Sequence, residues 1–195
     1  FNATNFPDST LPSVASTWIT ASGNRDNGAM WGGRLAQRQM VVKALKAGID
    51  TSQAAREEQN GYNLVATPAY PELTPNMIAL NNERNDTAFV IADTPLRLSP
   101  DEILSYANDP IAYPDSSVTI GNQYVGAFYP SCQTTDLSGS AVVTAPSHMM
   151  LRTIIRNDEV AYPWFAPAGT RRGIIDNAAS IGYLDAASGN YVPIK

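Results

Sequence analysis

Cysteine and histidine are almost absent from this chain of 195 residues, which contains one of each, Cys132 and His148. A single cysteine excludes an intrachain disulfide, and folding in a reducing cytosol is the natural interpretation. One cysteine and one histidine cannot supply the usual ligands of a zinc site. A catalytic triad would have to use His148, and no G-x-S-x-G sequence accompanies it. We therefore expect no cofactor, no metal and no catalytic residue, and a structural role for His148 in the first turn of a helix.

Charge is also scarce. Charged residues make up 16% of the chain, against about 25% in average proteins, so part of the surface is expected to meet partners. The net charge is −5 and no run of Lys and Arg occurs, which disfavours nucleic acid as a partner. No apolar stretch approaches the ~20 residues of a membrane-spanning helix, so we expect no membrane partner.

Two parts of the chain differ in composition. Residues 1–29 are rich in Ser, Thr, Asn, Pro and Gly, which predicts an irregular connecting segment. Residues 30–195 contain the periodic patterns and are predicted to form an α/β core domain. The chain begins without an initiator Met or a signal peptide, and we expect both of its ends to be boundaries within a longer polypeptide.

Residues 31–49 predict an amphipathic helix. Its apolar positions are Trp31, Leu35, Val42, Leu45 and Ile49, and its basic positions, expected on the other side, are Arg34, Arg38, Lys43 and Lys46. A basic face this short is usually solvated, although it would also fit an acidic patch on a neighbouring subunit.

The rest of the chain alternates between strand and helix patterns. Strands are predicted at 63–67, 87–92 and 123–129, and the second of them is apolar enough to be covered on both faces. Helices are predicted from Thr74, with Thr74 as N-cap, to about Asn85, from Ser99, and from Pro146. Ser99 and Glu102 are spaced as a capping box. This order predicts an α/β fold with a mainly parallel or mixed sheet flanked by helices.

Asp93 follows the buried strand at 87–92, where a nucleotide hydrolase would place a magnesium-binding carboxylate. No G-x-x-x-x-G-K-[ST] motif occurs, and the glycines at 23–28 lack the lysine of a phosphate loop. We therefore interpret Asp93 as a turn residue or hydrogen-bond partner of a helix. A nucleotide-binding α/β enzyme remains the alternative.

The most informative stretch is residues 161–173, AYPWFAPAGTRRG, which follows IRNDEV at 155–160. It resembles the aromatic-x-A-P-A-G-x-x-R-G signature of contractile tail sheath proteins of phages and related injection machines. Other pieces resemble the family in the same order: YNLVATP at 62–68, NNERND at 81–86, DTP at 93–95, AFYP at 127–130 and VVTAPS at 142–147. The resemblance spans residues 62–176.

The resemblance implies a sheath-type core domain, a structural role in the virion tail and assembly in the host cytoplasm. Its partners would be other sheath subunits, forming rings stacked into a helix, and the tail tube. Contraction of that helix would drive the tube into the host envelope for genome ejection. The family's terminal arms and any inserted outer domains would lie outside this chain. A sheath subunit of a bacteriocin or secretion apparatus is an alternative within the same class.

Four residues of the signature are candidate interaction residues: Trp164, Phe165, Arg171 and Arg172. Two interpretations of the aromatic pair stay open, a loop that closes the core and a direct contact with another subunit. The arginines are the better interface candidates, because paired arginines are seldom both buried.

Overall fold

The computed structural model describes residues 32–108, 122–162, 164–185 and 188–195. These residues form a mixed α/β fold with a three-stranded parallel sheet and a four-stranded antiparallel sheet. The predicted connecting segment 1–29 lies outside the described residues, as do Trp31 and the side chains of Arg34 and Leu35.

The helices are α1 (Gly32–Thr51), α2 (Thr74–Glu83), α3 (Pro100–Asn108), α4 (Pro146–Val160) and α5 (Gly169–Arg172), and a 3₁₀ turn spans Pro71–Leu73. The strands are β1 (Leu64–Ala66), β2 (Phe89–Asp93), β3 (Val125–Phe128), β4 (Ser131–Thr135), β5 (Ala141–Thr144), β6 (Ser180–Leu184) and β7 (Tyr191–Pro193). None of the described helices is long and apolar enough to cross a membrane.

The parallel sheet has the order β1-β2-β3, so the predicted strands at 63–67, 87–92 and 123–129 are all confirmed. Val90 and Ile91 in β2 are both 0% exposed. Since consecutive strand residues point to opposite faces, the sheet is covered on both sides, as the apolar run predicted. Helices α2 and α4 both pack against β2.

Helix α2 begins differently from the prediction. Thr74 lies inside the helix, Leu73 occupies the N-cap position, and no side chain caps this end. The hydroxyl of Thr74 is buried without a hydrogen-bond partner. The 3₁₀ turn explains the difference: it leads directly into α2, and the amide of Thr74 donates to the carbonyl of Pro71. Thr74 is therefore held as part of a continuous turn and cannot take the extended backbone of a cap.

The end of α2 is near the predicted position. Asn85 and Asp86 follow the helix with φ values of 57° and 56°, a left-handed conformation that Asn and Asp tolerate better than most residues. The buried Arg84 donates to the carbonyls of Ala55, Glu57 and Asn60, and its guanidinium lies 4.2 Å from the ring centroid of Tyr62. These contacts fix the turn between α1 and β1.

Helix α1 packs on the 3₁₀ turn and on α2. Arg38 forms a two-pronged ion pair with Glu72, with distances of 2.6 and 2.8 Å, and its guanidinium also donates to the carbonyl of Ala69. Asn76 donates to Asp50 near the other end of α1. The expectation that Arg38 belongs to a separate basic face is wrong, because Glu72 offers it a partly buried partner on the domain.

The capping box is confirmed. The amide and hydroxyl of Ser99 both donate to Glu102 at 2.8 Å, and the amide of Glu102 donates back to Ser99 Oγ at 3.4 Å. Helix α3 begins at the next residue, Pro100.

The antiparallel sheet has the order β5-β4-β6-β7. Strands β4, β6 and β7 were not expected from the sequence, because they are short and partly polar. The pairing of β4 with β6 also joins segments that are distant in sequence. Cys132 is buried in β4, and this burial raises the pKa of its thiol.

Candidate functional site

The site is built on helix α4, whose amino end is tied to the parallel sheet. Asp93, at the end of β2, accepts hydrogen bonds from the amide and hydroxyl of Ser147 at 2.7 and 2.8 Å. It also accepts one from the amide of Ala69 at 2.7 Å. Burial raises the pKa of the Asp93 carboxyl, while the three hydrogen bonds oppose that rise. The prediction that Asp93 is a hydrogen-bond partner of a helix is confirmed.

This arrangement also bears on the nucleotide alternative. Asp93 is 2% exposed and both of its carboxylate oxygens are already engaged by protein donors. Three protein donors use most of the acceptor sites of this buried carboxylate, which leaves little room for a magnesium ion. His148 is exposed in the first turn of α4, as expected. Among the described residues, no group of three or more His, Cys, Asp or Glu side chains is suited to hold a metal ion.

Helix α4 buries polar side chains as well as apolar ones. Met149, Thr153 and Asn157 are buried along one side of the helix, whereas Ile155 and Val160 are 48% and 69% exposed. The hydroxyl of Thr153 is satisfied within the helix by the carbonyl of Met149. The exposed apolar residues lie at the carboxyl half of the helix, next to the signature loop.

Asn157 fixes the loop that follows α4. Its side-chain amide donates to the carbonyl of Phe165 at 2.8 Å, and its backbone carbonyl accepts from the amide of Ala161 at 2.9 Å. The amide of Phe165 in turn donates to the carbonyl of Tyr162 at 2.9 Å. The loop is therefore anchored at Phe165 to a side chain that is only 1% exposed.

Three aromatic side chains on this loop form what we call the aromatic cluster: Tyr162, Trp164 and Phe165. Tyr162 and Trp164 stack with ring centroids 4.7 Å apart and planes inclined by 6°, and Phe165 meets Tyr162 edge-on at 5.8 Å. All three are exposed, and Trp164 is 76% exposed. The interpretation of Trp164 as a core anchor is therefore wrong: its ring packs on a neighbouring ring and faces solvent.

The arginines of the signature lie beside the cluster. The guanidinium of Arg172 lies 4.8 Å from the ring centroid of Phe165, and its Nε donates to the carbonyl of Ala166. Arg171 is exposed and forms no ion pair with the described residues. Neither arginine is buried, as the sequence predicted. Arg171 therefore offers an available positive charge at the edge of an apolar surface.

Two glycines give this segment its shape. Gly169 begins α5 with φ of +73°, a conformation that side chains with a Cβ adopt only at a cost. A Cβ atom on Gly173 would lie 2.9 Å from the Cα of Ala168, closer than ordinary contacts allow. The two glycines of the signature thus correspond to a tight backbone beside the exposed aromatic and basic side chains.

A cluster of three charged residues links helix α4 to the chain that follows the signature. Arg152 and Arg156 both form ion pairs with Asp176, which follows α5. The hydrogen bond from Arg152, helped by the nearby positive charges, holds the pKa of Asp176 below its usual value. These pairs join α4 to the chain beyond the signature.

The structure thus brings together all four predicted site residues on one loop and short helix. Sequence reasoning missed Tyr162 and Asn157 as site residues. The aromatic residue preceding Pro163 was a signal for Tyr162, whereas an isolated Asn near the end of a helix gives no signal for a buried loop anchor.

Comparison of the chain with protein-family models gives no match, and none of the curated proteins is similar to it.

Proposed function

We propose that this chain is the core of a contractile tail sheath subunit and that its signature loop is a contact surface for assembly. The proposal rests on the resemblance over residues 62–176 together with one structural observation. That observation is the exposed aromatic cluster on a loop whose backbone is anchored by a buried side chain, Asn157. Large aromatic side chains held at a rigid, exposed position are typical of interaction sites.

The other pieces of the resemblance support the scaffold on which this surface is carried. Arg84 and Asp93 are buried and bind backbone groups of neighbouring turns and helices. Such residues make the subunit a rigid body. A sheath contracts by rigid-body movement of subunits between two lattices, so it needs stable subunits with outward contacts that can rearrange.

In this proposal the partners are other sheath subunits and the tail tube, and the place of action is the virion tail. The chain contributes no catalysis; the energy of contraction comes from the difference between two sets of subunit contacts. A bacteriocin or secretion sheath has the same requirements and stays the alternative within the class. The nucleotide-binding alternative is disfavoured by the engagement of both Asp93 oxygens.

Negative-stain electron microscopy tests the proposal. The chain would be expressed alone and within the longer sheath polypeptide that the resemblance implies. Tubes or polymerised sheaths formed by the longer polypeptide are the expected result. Dispersed particles under all assembly conditions, or micromolar ATP binding that is lost in Asp93→Ala, would count against it.

A further inference from the structure

The turn between α1 and β1 contains an Asn-Gly step, Asn60–Gly61, that the proposed function does not use. Both residues are exposed. In an Asn-Gly step the backbone nitrogen of the glycine can attack the side-chain amide of the asparagine with little hindrance, because glycine has no Cβ beside that nitrogen. Nothing lies within 4 Å of a Cβ atom built at Gly61, so the surrounding space is open as well.

The nitrogen that would make this attack has no competing hydrogen bond. Within the part of the chain that the structure describes, the amide of Gly61 donates to no acceptor, although the residues on either side of it are held. The amide of Asn60 donates to the carbonyl of Glu57 at 3.1 Å, and the phenol of Tyr62 donates to the carbonyl of Ala55 at 2.6 Å. The turn is thus fixed around an exposed and unengaged peptide nitrogen.

The carbonyl of the same peptide bond is bound by a cation. The buried guanidinium of Arg84 donates to the carbonyl oxygen of Asn60 at 3.2 Å. When the nitrogen of Gly61 loses its proton, negative charge spreads onto this oxygen. A positively charged donor already in place stabilises that charge, as the donors of an oxyanion hole do. Arg84 is held for this role by the carbonyls of Ala55 and Glu57.

One contact opposes the attack. The side-chain amide of Asn60 donates to the carbonyl of Ala54 at 2.8 Å, which limits rotation of the side chain toward Gly61. This bond is exposed and joins two neutral groups. Hydrogen bonds from a charged donor are roughly twice as strong as neutral ones, so the contact from Arg84 outweighs it.

We propose that Asn60 is a site of spontaneous deamidation in the folded protein and that Arg84 promotes the reaction. The nitrogen of Gly61 gives its proton to solvent and forms a bond to Cγ of Asn60, and Nδ2 of Asn60 takes a proton from solvent and leaves as ammonia. Water then hydrolyses the succinimide, at one carbonyl to aspartate and at the other to isoaspartate. The reaction needs only water, and its chemistry is the same whether or not the chain forms a sheath.

The products weaken the contacts that hold the turn. Aspartate at position 60 replaces the donor to Ala54 by an acceptor and adds a negative charge near Glu57, whose Oε2 lies 3.5 Å from Nδ2 of Asn60. Isoaspartate lengthens the backbone by a methylene group and moves the carbonyl away from Arg84. Nε of Arg84 is already buried without a hydrogen-bond partner, so loss of a further acceptor is costly and the turn loosens.

Mass spectrometry of the ageing protein tests the site. The chain is kept in mildly alkaline buffer, folded or unfolded in urea, and the tryptic fragment 57–84 is sequenced over time. We expect Asn60 to deamidate about tenfold faster in the folded chain than in urea, the gain from one charge-assisted hydrogen bond. Asn63, exposed in the same fragment but followed by Leu64, is the internal control and should stay unmodified. Deamidation of Asn60 that is no faster in the folded chain would overturn the proposal.

Two variants test the mechanism. Gly61→Ala, for which the structure has room, should slow deamidation at least about tenfold because a methyl group then stands beside the attacking nitrogen. Arg84→Gln keeps a donor without the charge and should slow it about tenfold. An unchanged rate in either folded variant contradicts the proposal. If Arg84→Gln does not fold, the comparison of folded and urea-unfolded wild type still decides the role of Arg84.

Hydrogen exchange measures the consequence for the turn. Asn60→Asp reproduces the aspartate product and should increase exchange in residues 53–66 more than in β2. Asn60→Ala is the matched control, since it removes the donor to Ala54 without adding a charge, and it should increase exchange less. Exchange in Asn60→Asp no higher than in Asn60→Ala would overturn the inference that the product's charge loosens the turn.

Discussion

Asp93 joins three segments of the chain at one carboxylate: the turn after β1, the end of β2 and the start of α4. The three donors are two backbone N–H groups and one hydroxyl, and all of them can donate to an ionised carboxylate. Their combined effect fixes the position of α4, on which the signature loop depends. The residue that resembles a catalytic carboxylate in sequence is thus a structural one.

Asp93→Asn should lower the free energy of unfolding by about 1–3 kcal/mol, because one donor must then face the amide group of the new side chain. Ser147→Ala is the matched control: it removes only the hydroxyl donor and should cost about 1 kcal/mol. Urea denaturation followed by far-UV circular dichroism measures both. Equal stability of Asp93→Asn and wild type would show that the carboxylate does not help to hold the start of α4 against the sheet.

The free energy of unfolding should depend on pH through Asp176, and the lowered pKa of this residue sets the direction of the change. The pKa of the Asp176 carboxyl is lower in the folded protein than its ordinary value of 3.8. The ionised carboxylate therefore stabilises the fold above pH 3.8, and this stabilisation is lost as the pH falls through the pKa of the folded state. Wild type should therefore lose stability more steeply below pH 3.8 than Asp176→Asn. Thermal melts across that range test this, and added salt should reduce the difference because the ion pairs are exposed.

Some residue roles were readable from sequence and others were not. Ser99 and Glu102 act within one turn of helix, so their spacing alone identified the capping box. The guanidinium of Arg84, by contrast, binds carbonyls 24 to 29 residues away in sequence, which the tertiary fold brings to it. Local patterns contain no information on such partners.

The contacts that attach helix α1 to the domain include the Arg38–Glu72 ion pair and the hydrogen bond from Asn76 to Asp50. Arg38→Ala should destabilise this attachment by about 1–3 kcal/mol, since it leaves the partly buried Glu72 without its partner. Hydrogen exchange should then increase in α1 more than in β2. Lys43→Ala, an exposed basic residue on the same helix, is the control, and an equal effect of both changes would refute the attachment through Arg38.

The signature loop depends on Asn157 more than on its aromatic residues. Trp164→Ala should change the free energy of unfolding by no more than about 1 kcal/mol, because it removes a stacking contact at an exposed site. Asn157→Asp should cost about 1–3 kcal/mol, since it replaces the donor to the Phe165 carbonyl by an acceptor. Urea denaturation of both variants measures the two losses. A larger loss in Trp164→Ala than in Asn157→Asp would restore the interpretation of Trp164 as a core anchor.

At the scale of elements, the parallel sheet was predictable and the antiparallel sheet was not. Strand β2 is apolar on both faces, and a short apolar run of this kind is typical of a strand buried inside a parallel sheet. Strands β6 and β7 have mixed composition, and they belong to the sheet through the pairing of β6 with β4, which is distant in sequence. The exposure of Trp164 could not be predicted either, because the sequence of an aromatic-rich loop does not show whether its side chains pack in the core or face solvent.

Within the part of the chain that the structure describes, large apolar side chains are exposed in the aromatic cluster and on helix α1, where Met40 is 74% exposed, and the chain has few charges. Monomeric proteins seldom leave extended apolar surfaces uncovered. The proposed role, in which the chain acts as a subunit through contacts with its neighbours, would account for both the low charge and these exposed apolar residues.

The most direct test of this account is electron microscopy of the longer sheath polypeptide that the proposed function implies, carrying the double change Arg171→Ala and Arg172→Ala. Both arginines are outside the core, so the free energy of unfolding should stay within about 0.5 kcal/mol of the wild-type value. Leu137→Ala, a fully exposed leucine at the β4–β5 loop, is the control for an exposed change elsewhere. We predict abundant tubes for wild type and Leu137→Ala, and few or defective tubes for the arginine variant. Tubes of equal number and length in all three, or none in the wild type, would contradict the claim that the signature loop assembles a sheath.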